Sequence, residues 1–206
     1  MLEIINCDQG TPEWFLHRAG IPTASDFKTL LMKGKGGAES ETRKAMVYTK
    51  AYELYSGKAS DSYSNADMQR GHEMEPDARN MYAFRQDADP ILVGFVKNGR
   101  KGASPDALLD SNGILEIKSH KPSILIPIIQ ADVFPTQHMA QCQGLLWVCE
   151  REWLDIACYW PGLPLFVKRI TRDEPYISNL SGEVDRFNDE VDAMVETLKT
   201  YEKAAA

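Results

Sequence analysis

The sequence predicts an α/β fold, a central mixed β-sheet flanked by helices. Three observations carry that expectation. Residues 11–86 are dominated by helical signals. Short apolar runs punctuated by Gly and Pro dominate residues 90–170, with one helical stretch at 135–149 among them. A last helical stretch spans about 174–203. The order is helices, strands, helix, strands, helix, and we read residues 1–206 as a single domain.

The elements follow in order. Thr11-Pro12-Glu13 opens a helix: Thr11 can cap, Pro12 suits the first turn and Glu13 suits the dipole. Gly20 ends it. A short helix begins at Ser25 and carries Phe27, Leu30 and Leu31, and Lys33-Gly34-Lys35-Gly36-Gly37 is a basic loop. Helices are expected over 41–56 and 65–86, the second with a stripe of Met74, Ala78, Met81 and Phe84 or Arg85. Pro90 and the run Ile91–Val96 mark a strand, and two more strands flank Asp110-Ser111-Asn112-Gly113. After a Pro-punctuated stretch and the 135–149 helix, strands are expected over 154–160 and 164–170.

Composition bounds the function classes. The chain has 206 residues, 43% hydrophobic and 26% charged, as in ordinary globular proteins. No apolar run approaches the roughly 18 residues that span a bilayer, and no basic region precedes the first apolar residues, so an intracellular protein is expected. The net charge of −7 speaks against a DNA-coating protein but not against a DNA enzyme, since a metal site needs carboxylates. No internal repeat is evident.

The chemistry concentrates in Ser104-Pro105-Asp106 and Glu116-Ile117-Lys118. On a strand, Ile114, Glu116 and Lys118 share one face and Leu115 and Ile117 the other. A carboxylate beside an ammonium in an apolar strand is either a structural ion pair or a catalytic pair. An even loop over 110–113 would put Asp106 opposite Ile117, on the wrong face. An odd loop, Ser111-Asn112-Gly113, would put it opposite Lys118 and diagonal to Glu116, with Gly113 as the left-handed residue. The odd loop, or a bulge near Pro105 with the same effect, is expected. Two acidic oxygens and the Ile117 carbonyl would then suit Mg²⁺, with Mn²⁺ able to substitute. Such a site activates water and neutralises a scissile phosphate, and Lys118 would orient or deprotonate the water or stabilise the transition state. The pattern is that of a metal-dependent nuclease.

Cys7 stands early and Cys142, Cys149 and Cys158 late, as in some iron–sulfur nucleases. No C-x-x-C pair is present, so buried small hydrophobes are expected.

Three blocks, in order, resemble the lambda exonuclease-like, or YqaJ-type, viral recombinase nucleases of the PD-(D/E)xK superfamily. They are Glu13 to Phe27 (EWFLHRAGIPTASDF), Arg70 to Arg79 (RGHEMEPDAR), and Ala103-Ser104-Pro105-Asp106 through Glu116-Ile117-Lys118 to His138-Met139-Ala140-Gln141-Cys142-Gln143. The likeness covers most of residues 11–170. It implies a restriction-endonuclease-like core, with Asp106 and Glu116 as metal ligands and Lys118 as the catalytic lysine. It adds Glu75, which would hold a metal-bound water or a second metal, and Gln141 in contact with the site. Taken alone, Glu75 is an ordinary helix carboxylate and Gln141 a polar helix residue.

The resemblance also assigns Arg18, Ser25 and Ser104 to a pocket for a DNA 5′-phosphate, which suits a guanidinium and a helix N-terminus. Met68 sits where family members place a wedge that parts terminal base pairs, although a core methionine reads as well. Some of Lys33, Lys35, Arg43 and Lys44 would track the DNA backbone. One departure is the glycine-rich Lys33–Gly37 loop, which puts the DNA contacts there in doubt.

What the resemblance implies is a 5′→3′ exonuclease on linear duplex DNA that leaves a 3′ overhang. It also implies a ring-shaped homotrimer, a single-strand annealing recombinase as partner, and a phage or prophage protein in the bacterial cytoplasm. The alternatives are a restriction-like or repair endonuclease, or a DNA-binding module without catalysis.

Overall fold

The computed structural model describes residues 1–38, 40–60 and 66–205, with the backbone alone at residues 35, 66–68 and 205. Strands β4 (Ala107–Leu109), β5 (Gly113–Ser119), β6 (Trp153–Tyr159) and β7 (Phe166–Thr171) form a mixed sheet in the order β4-β5-β6-β7. Only β5 and β6 run parallel. A second sheet, antiparallel, pairs β1 (Leu2–Ile5), β2 (Phe95–Asn98) and β3 (Gly102–Ala103). The central mixed sheet is therefore as expected, and the three-stranded sheet is an addition.

Helices α1 (Pro12–Arg18), α2 (Phe27–Leu30), α3 (Glu41–Ser56) and α4 (Ala66–Gln86) occupy the first half. Helices α5 (Pro122–Ala131), α6 (Met139–Val148) and α7 (Glu174–Ala205) occupy the second. The four-stranded sheet buries both faces, which is why β5 and β6 read as nearly continuous apolar runs. On one face Leu115 and Ile117 pack with Ala78 and Tyr82 of α4. On the other, Ile114 and Ile156 pack with Cys142 and Leu145 of α6 and with Leu180, Val184, Phe187 and Val191 of α7. That α7 stripe repeats every three or four residues, as a helix with one buried face requires.

Thr11 caps α1 by accepting from Trp14 N–H, and Gly20 adopts a positive φ just beyond its end. Three expectations are corrected. The strand proposed over 91–96 starts only at Phe95, and Ile91 makes an isolated bridge to Leu108. Gly94 lies so close to Cys7 that a Cβ there would come within 2.0 Å of its carbonyl oxygen, and the chain bends at that contact. The Pro-punctuated stretch holds helix α5, which starts at Pro122 and tolerates Pro127 inside. Ser25 precedes α2 rather than opening it, and Asp26 takes the N-cap position.

The β4–β5 hairpin also departs from the expected loop. Its pairs are Ala107 with Leu115, Leu108 with Ile114 and Leu109 with Gly113. The loop is Asp110-Ser111-Asn112, odd as expected, but Asp110 is its left-handed residue, at φ 43°. Gly113 belongs to the strand, where a Cβ would come within 2.3 Å of the Trp153 ring. The register therefore places Asp106 opposite Glu116 rather than Lys118. All four cysteines are free, and Cys142, Cys149 and Cys158 are buried as small hydrophobes. No helix among the described residues is long and apolar enough to cross a membrane.

Candidate active site

The candidate site forms at the edge of β5 where β4 has not yet begun. Extending the hairpin register by two residues sets Pro105 opposite Ile117. Proline has no N–H, so β4 offers the Ile117 carbonyl no ladder donor. The Ile117 N–H is taken instead by Asp106 Oδ2, at 2.5 Å. N–H and C=O of one strand residue point to the same edge, so the Ile117 carbonyl faces the side on which Asp106 stands. The Pro-Asp pair thus ends the ladder and supplies a carboxylate at the vacated position.

Glu116 projects toward α6 and is 2% exposed. Its Oε1 accepts from Lys118 Nζ at 2.7 Å and from Gln141 Nε2 at 2.6 Å. Lys118 also donates to Gln141 Oε1 at 3.0 Å, which closes a triangle of three side chains. Glu116 Oε2 is buried without a hydrogen-bond partner. Glu75 arrives from α4 on the other face of the sheet, held by an ion pair with Arg79 and lying 3.8 Å from His72. A cavity of about 250 Å³ lined by Gly71, His72, Glu75, Asp106, Ile117, Lys118 and Ser119 opens over this edge. A second, also about 250 Å³, lies beyond Asp106 and Glu75 and is lined by residues 6–9 and 92–94.

The electrostatics are those of a site short of positive charge. Burial, then the nearby Glu116 and Glu75, push the Asp106 carboxyl well above the ordinary carboxylate range. Burial also raises Glu116, against the pull of Lys118. Burial disfavours the Lys118 ammonium, but Glu116 and Asp106 outweigh it and hold that pKa above its ordinary value. Two raised acids, an orphaned Glu116 oxygen and a carbonyl without a ladder partner make an all-oxygen donor set that fits a hard divalent cation. Among the described residues no three His, Cys, Asp or Glu side chains are grouped to hold a metal, so Asp106, Glu116 and Glu75 do not together form a three-carboxylate cage.

Arg18, Ser25 and Ser104 come together as a second cluster. Arg18 donates to the hydroxyls of Ser104 at 3.3 Å, Thr23 at 3.1 Å and Ser25 at 3.4 Å. Its guanidinium lies 4.1 Å above the Trp14 ring. It pairs with no carboxylate among the described residues. Burial lowers its pKa, with Asp26 and Glu53 acting in the opposite direction. A half-buried guanidinium ringed by hydroxyls suits an anion.

The remaining assignments divide. The side chain of Met68 lies outside the described residues, so the wedge stays an expectation from sequence. Arg43 does not reach outward to a DNA backbone: it is 1% exposed and paired with Glu190 of α7. Lys33 and Lys44 are exposed. Sequence reasoning missed Trp14, Thr23 and Gln9. Thr23 is 1% exposed and bonded to both Arg18 and Asp26. Trp14 and Thr23 lie within the first resembling block, and that was the only signal available for them. His120 and His138 meet within the influence of Lys118, with Nε2 atoms 3.1 Å apart. Burial and then Lys118 push His138 down to about 3.

The sequence profile of the YqaJ-like viral recombinase domain matches residues 13–152. No curated protein matches the chain in sequence. The fold is similar to that of LHK-Exo, an alkaline exonuclease from Laribacter hongkongensis, at 30% identity and TM-score 0.84, over 95% of this chain and 100% of that one. The structure of LHK-Exo in complex with dAMP matches at TM-score 0.85, with the same identity and coverage. A phage-related exonuclease from Haemophilus somnus 129PT shares the fold at 14% identity and TM-score 0.66, over 86% of this chain and 96% of that one. Matched by that profile over most of its length and by a 30%-identical structure over 95% of it, the chain belongs to the YqaJ-like viral recombinase family and is a nuclease.

Proposed function

We propose that the protein is a Mg²⁺-dependent 5′→3′ exonuclease that acts on linear duplex DNA and digests the 5′-phosphorylated strand. The observation that carries this reading is the continuity of Arg18, Ser104 and Asp106. The anion pocket and the acidic edge share one three-residue segment, Ser104-Pro105-Asp106, and Arg18 bonds to its first member. A terminal phosphate at Arg18 would therefore be held by the same loop that carries Asp106. The dAMP bound to LHK-Exo is the kind of product such an arrangement would release.

Asp106, Glu116 and the Ile117 carbonyl would hold the cation, and Glu75 would orient water at its far side. The bound cation supplies an activated water and neutralises charge on the scissile phosphate. Lys118, held by Glu116 and Gln141, would place its ammonium where negative charge develops on the scissile phosphate. Gln141 fixes both Glu116 and Lys118 by donating to one and accepting from the other. The 3′ overhang left behind would feed a single-strand annealing recombinase. A homotrimeric ring threading the duplex, a single catalytic domain and action in the cytoplasm of a phage-bearing bacterium complete the reading.

The test compares linear duplex with 5′-phosphate, linear duplex with 5′-hydroxyl, and closed circular duplex, each with Mg²⁺. Fast, slow and no digestion are expected respectively. Equal rates on all three would overturn the exonuclease reading in favour of an endonuclease on the same core.

A further inference from the structure

We propose that Trp14 is a positioning residue whose indole N–H couples the Arg18 pocket to the metal ligand Asp106, so that a bound 5′-phosphate tightens the grip on the catalytic cation. The inference rests on the 5′-phosphate reading above and adds to it a line of communication.

Trp14 stands one helical turn before Arg18 on α1, which places the two side chains on one face. Its ring carries the Arg18 guanidinium, 4.1 Å from the ring centroid. Its Nε1–H reaches the Gly94 carbonyl at 3.1 Å and Ser104 Oγ at 2.9 Å. Ser104 Oγ therefore accepts twice, from Trp14 Nε1 and from Arg18 Nη1. A hydroxyl has two acceptor lone pairs and one proton. With both lone pairs engaged, the Ser104 proton must point away from Trp14 and Arg18, where it can serve an anion. Removing the indole N–H frees the hydroxyl to rotate, and the loop loses one of its fixed points.

From Ser104 the path to the cation site is short and stiff. Pro105 fixes its own φ, and Asp106 follows with its carboxylate on the Ile117 N–H. Gln9 holds the same loop from the other side, with Nε2 donating to the carbonyls of Val93 at 3.1 Å and Pro105 at 3.2 Å. The segment from Gln9 to Arg18 thus clamps the Ser104–Asp106 loop. A phosphate that draws in Arg18 and Ser104 pulls on a loop with little freedom except at Asp106.

The test measures cation binding without turnover. In a Lys118→Ala background, Mn²⁺ is titrated calorimetrically in the presence of a saturating 12-base-pair blunt duplex bearing either 5′-phosphate or 5′-hydroxyl. The expected result is Mn²⁺ binding tighter by about fivefold or more with the 5′-phosphate duplex, at the low end of coupling between linked sites. Adding Trp14→Phe keeps the aromatic face and removes the N–H, and should bring the two affinities within about twofold of each other. Should Trp14→Phe fail to fold, Ser104→Ala breaks the same link, and at saturating duplex the same loss is expected. A ratio preserved in either folded variant overturns the coupling. An absent ratio in the Lys118→Ala parent, with wild-type enzyme still favouring 5′-phosphate ends, overturns the coupling and spares end recognition. No preference for 5′-phosphate in any assay overturns both.

Discussion

Glu116 and Asp155 are carboxylates on adjacent parallel strands, each 2% exposed, and they are treated in opposite ways. Asp155 accepts from Tyr82 Oη at 2.6 Å, Arg169 Nε at 2.8 Å and Arg169 Nη2 at 2.9 Å. Both of its oxygens are satisfied, and it ties α4 to β6 and β7. Glu116 receives both of its donors on Oε1 and leaves Oε2 with none. A buried polar atom left unpaired costs stability unless something absent from the polypeptide completes it. Burial alone therefore does not mark a catalytic acid. What separates the two is a buried oxygen without a partner, on a carboxylate that the strand register sets opposite a second raised acid.

The largest expected effect separates them by activity. Glu116→Gln or Lys118→Ala should lower kcat by at least about 10²–10³-fold in a duplex digestion assay. Asp155→Asn should keep activity per folded molecule close to wild type. Loss of activity in a fully folded Asp155→Asn protein would erase the distinction.

Stability should separate them in the opposite sense. Asp155→Ala should cost about 2 kcal/mol by urea unfolding, below the full value for a buried pair because the Arg169 side chain is 54% exposed. Glu116→Gln, measured without divalent cation, should cost less, because it relieves a buried carboxylate while Asp106 remains to balance the Lys118 ammonium.

A smaller effect concerns pH. The folded state raises the carboxyl pKa of Asp106 and Glu116, so it holds protons that the unfolded chain releases. Their contribution to stability is fully present below the unfolded carboxylate range, near ~4, and is lost as pH rises through the folded values. Without metal, the melting temperature should fall by a few degrees between pH 5 and pH 8, and Asp106→Asn should flatten that slope. A slope that Asp106→Asn leaves unchanged would remove the site from the cause. The smallest effect is Tyr82→Phe, which deletes one hydrogen bond to Asp155 and should cost about 1 kcal/mol with activity retained.

The comparison also shows what sequence could reveal. The alternation in Ile114, Glu116 and Lys118 was legible because strand period fixes which residues share a face. The odd loop was legible from the need to bring Asp106 round, but its position was not. Gly113 looked like the turn residue, yet it is glycine because Trp153 crowds it, and Asp110 takes the left-handed position instead. Helix α5 was hidden by Pro127, and β1 is only four residues long. Glu75 and Arg18 were visible through the resemblance alone, because residues on α4 and α1 meet the site only in the tertiary fold. Arg43 misled because a basic residue near a basic loop suggests DNA, whereas its partner, Glu190, lies far along the chain.

The most direct test of the contrast is the melting temperature as Mg²⁺ is raised at pH 8, for the wild type, Glu116→Gln and Asp155→Asn. A ligand that binds only the folded state raises that temperature with the logarithm of its concentration once that exceeds Kd, even after the site is full. A rise that grows with the logarithm of Mg²⁺ concentration is expected in the wild type and in Asp155→Asn, with none in Glu116→Gln. An equal rise in Glu116→Gln would contradict the assignment of this edge as the cation site.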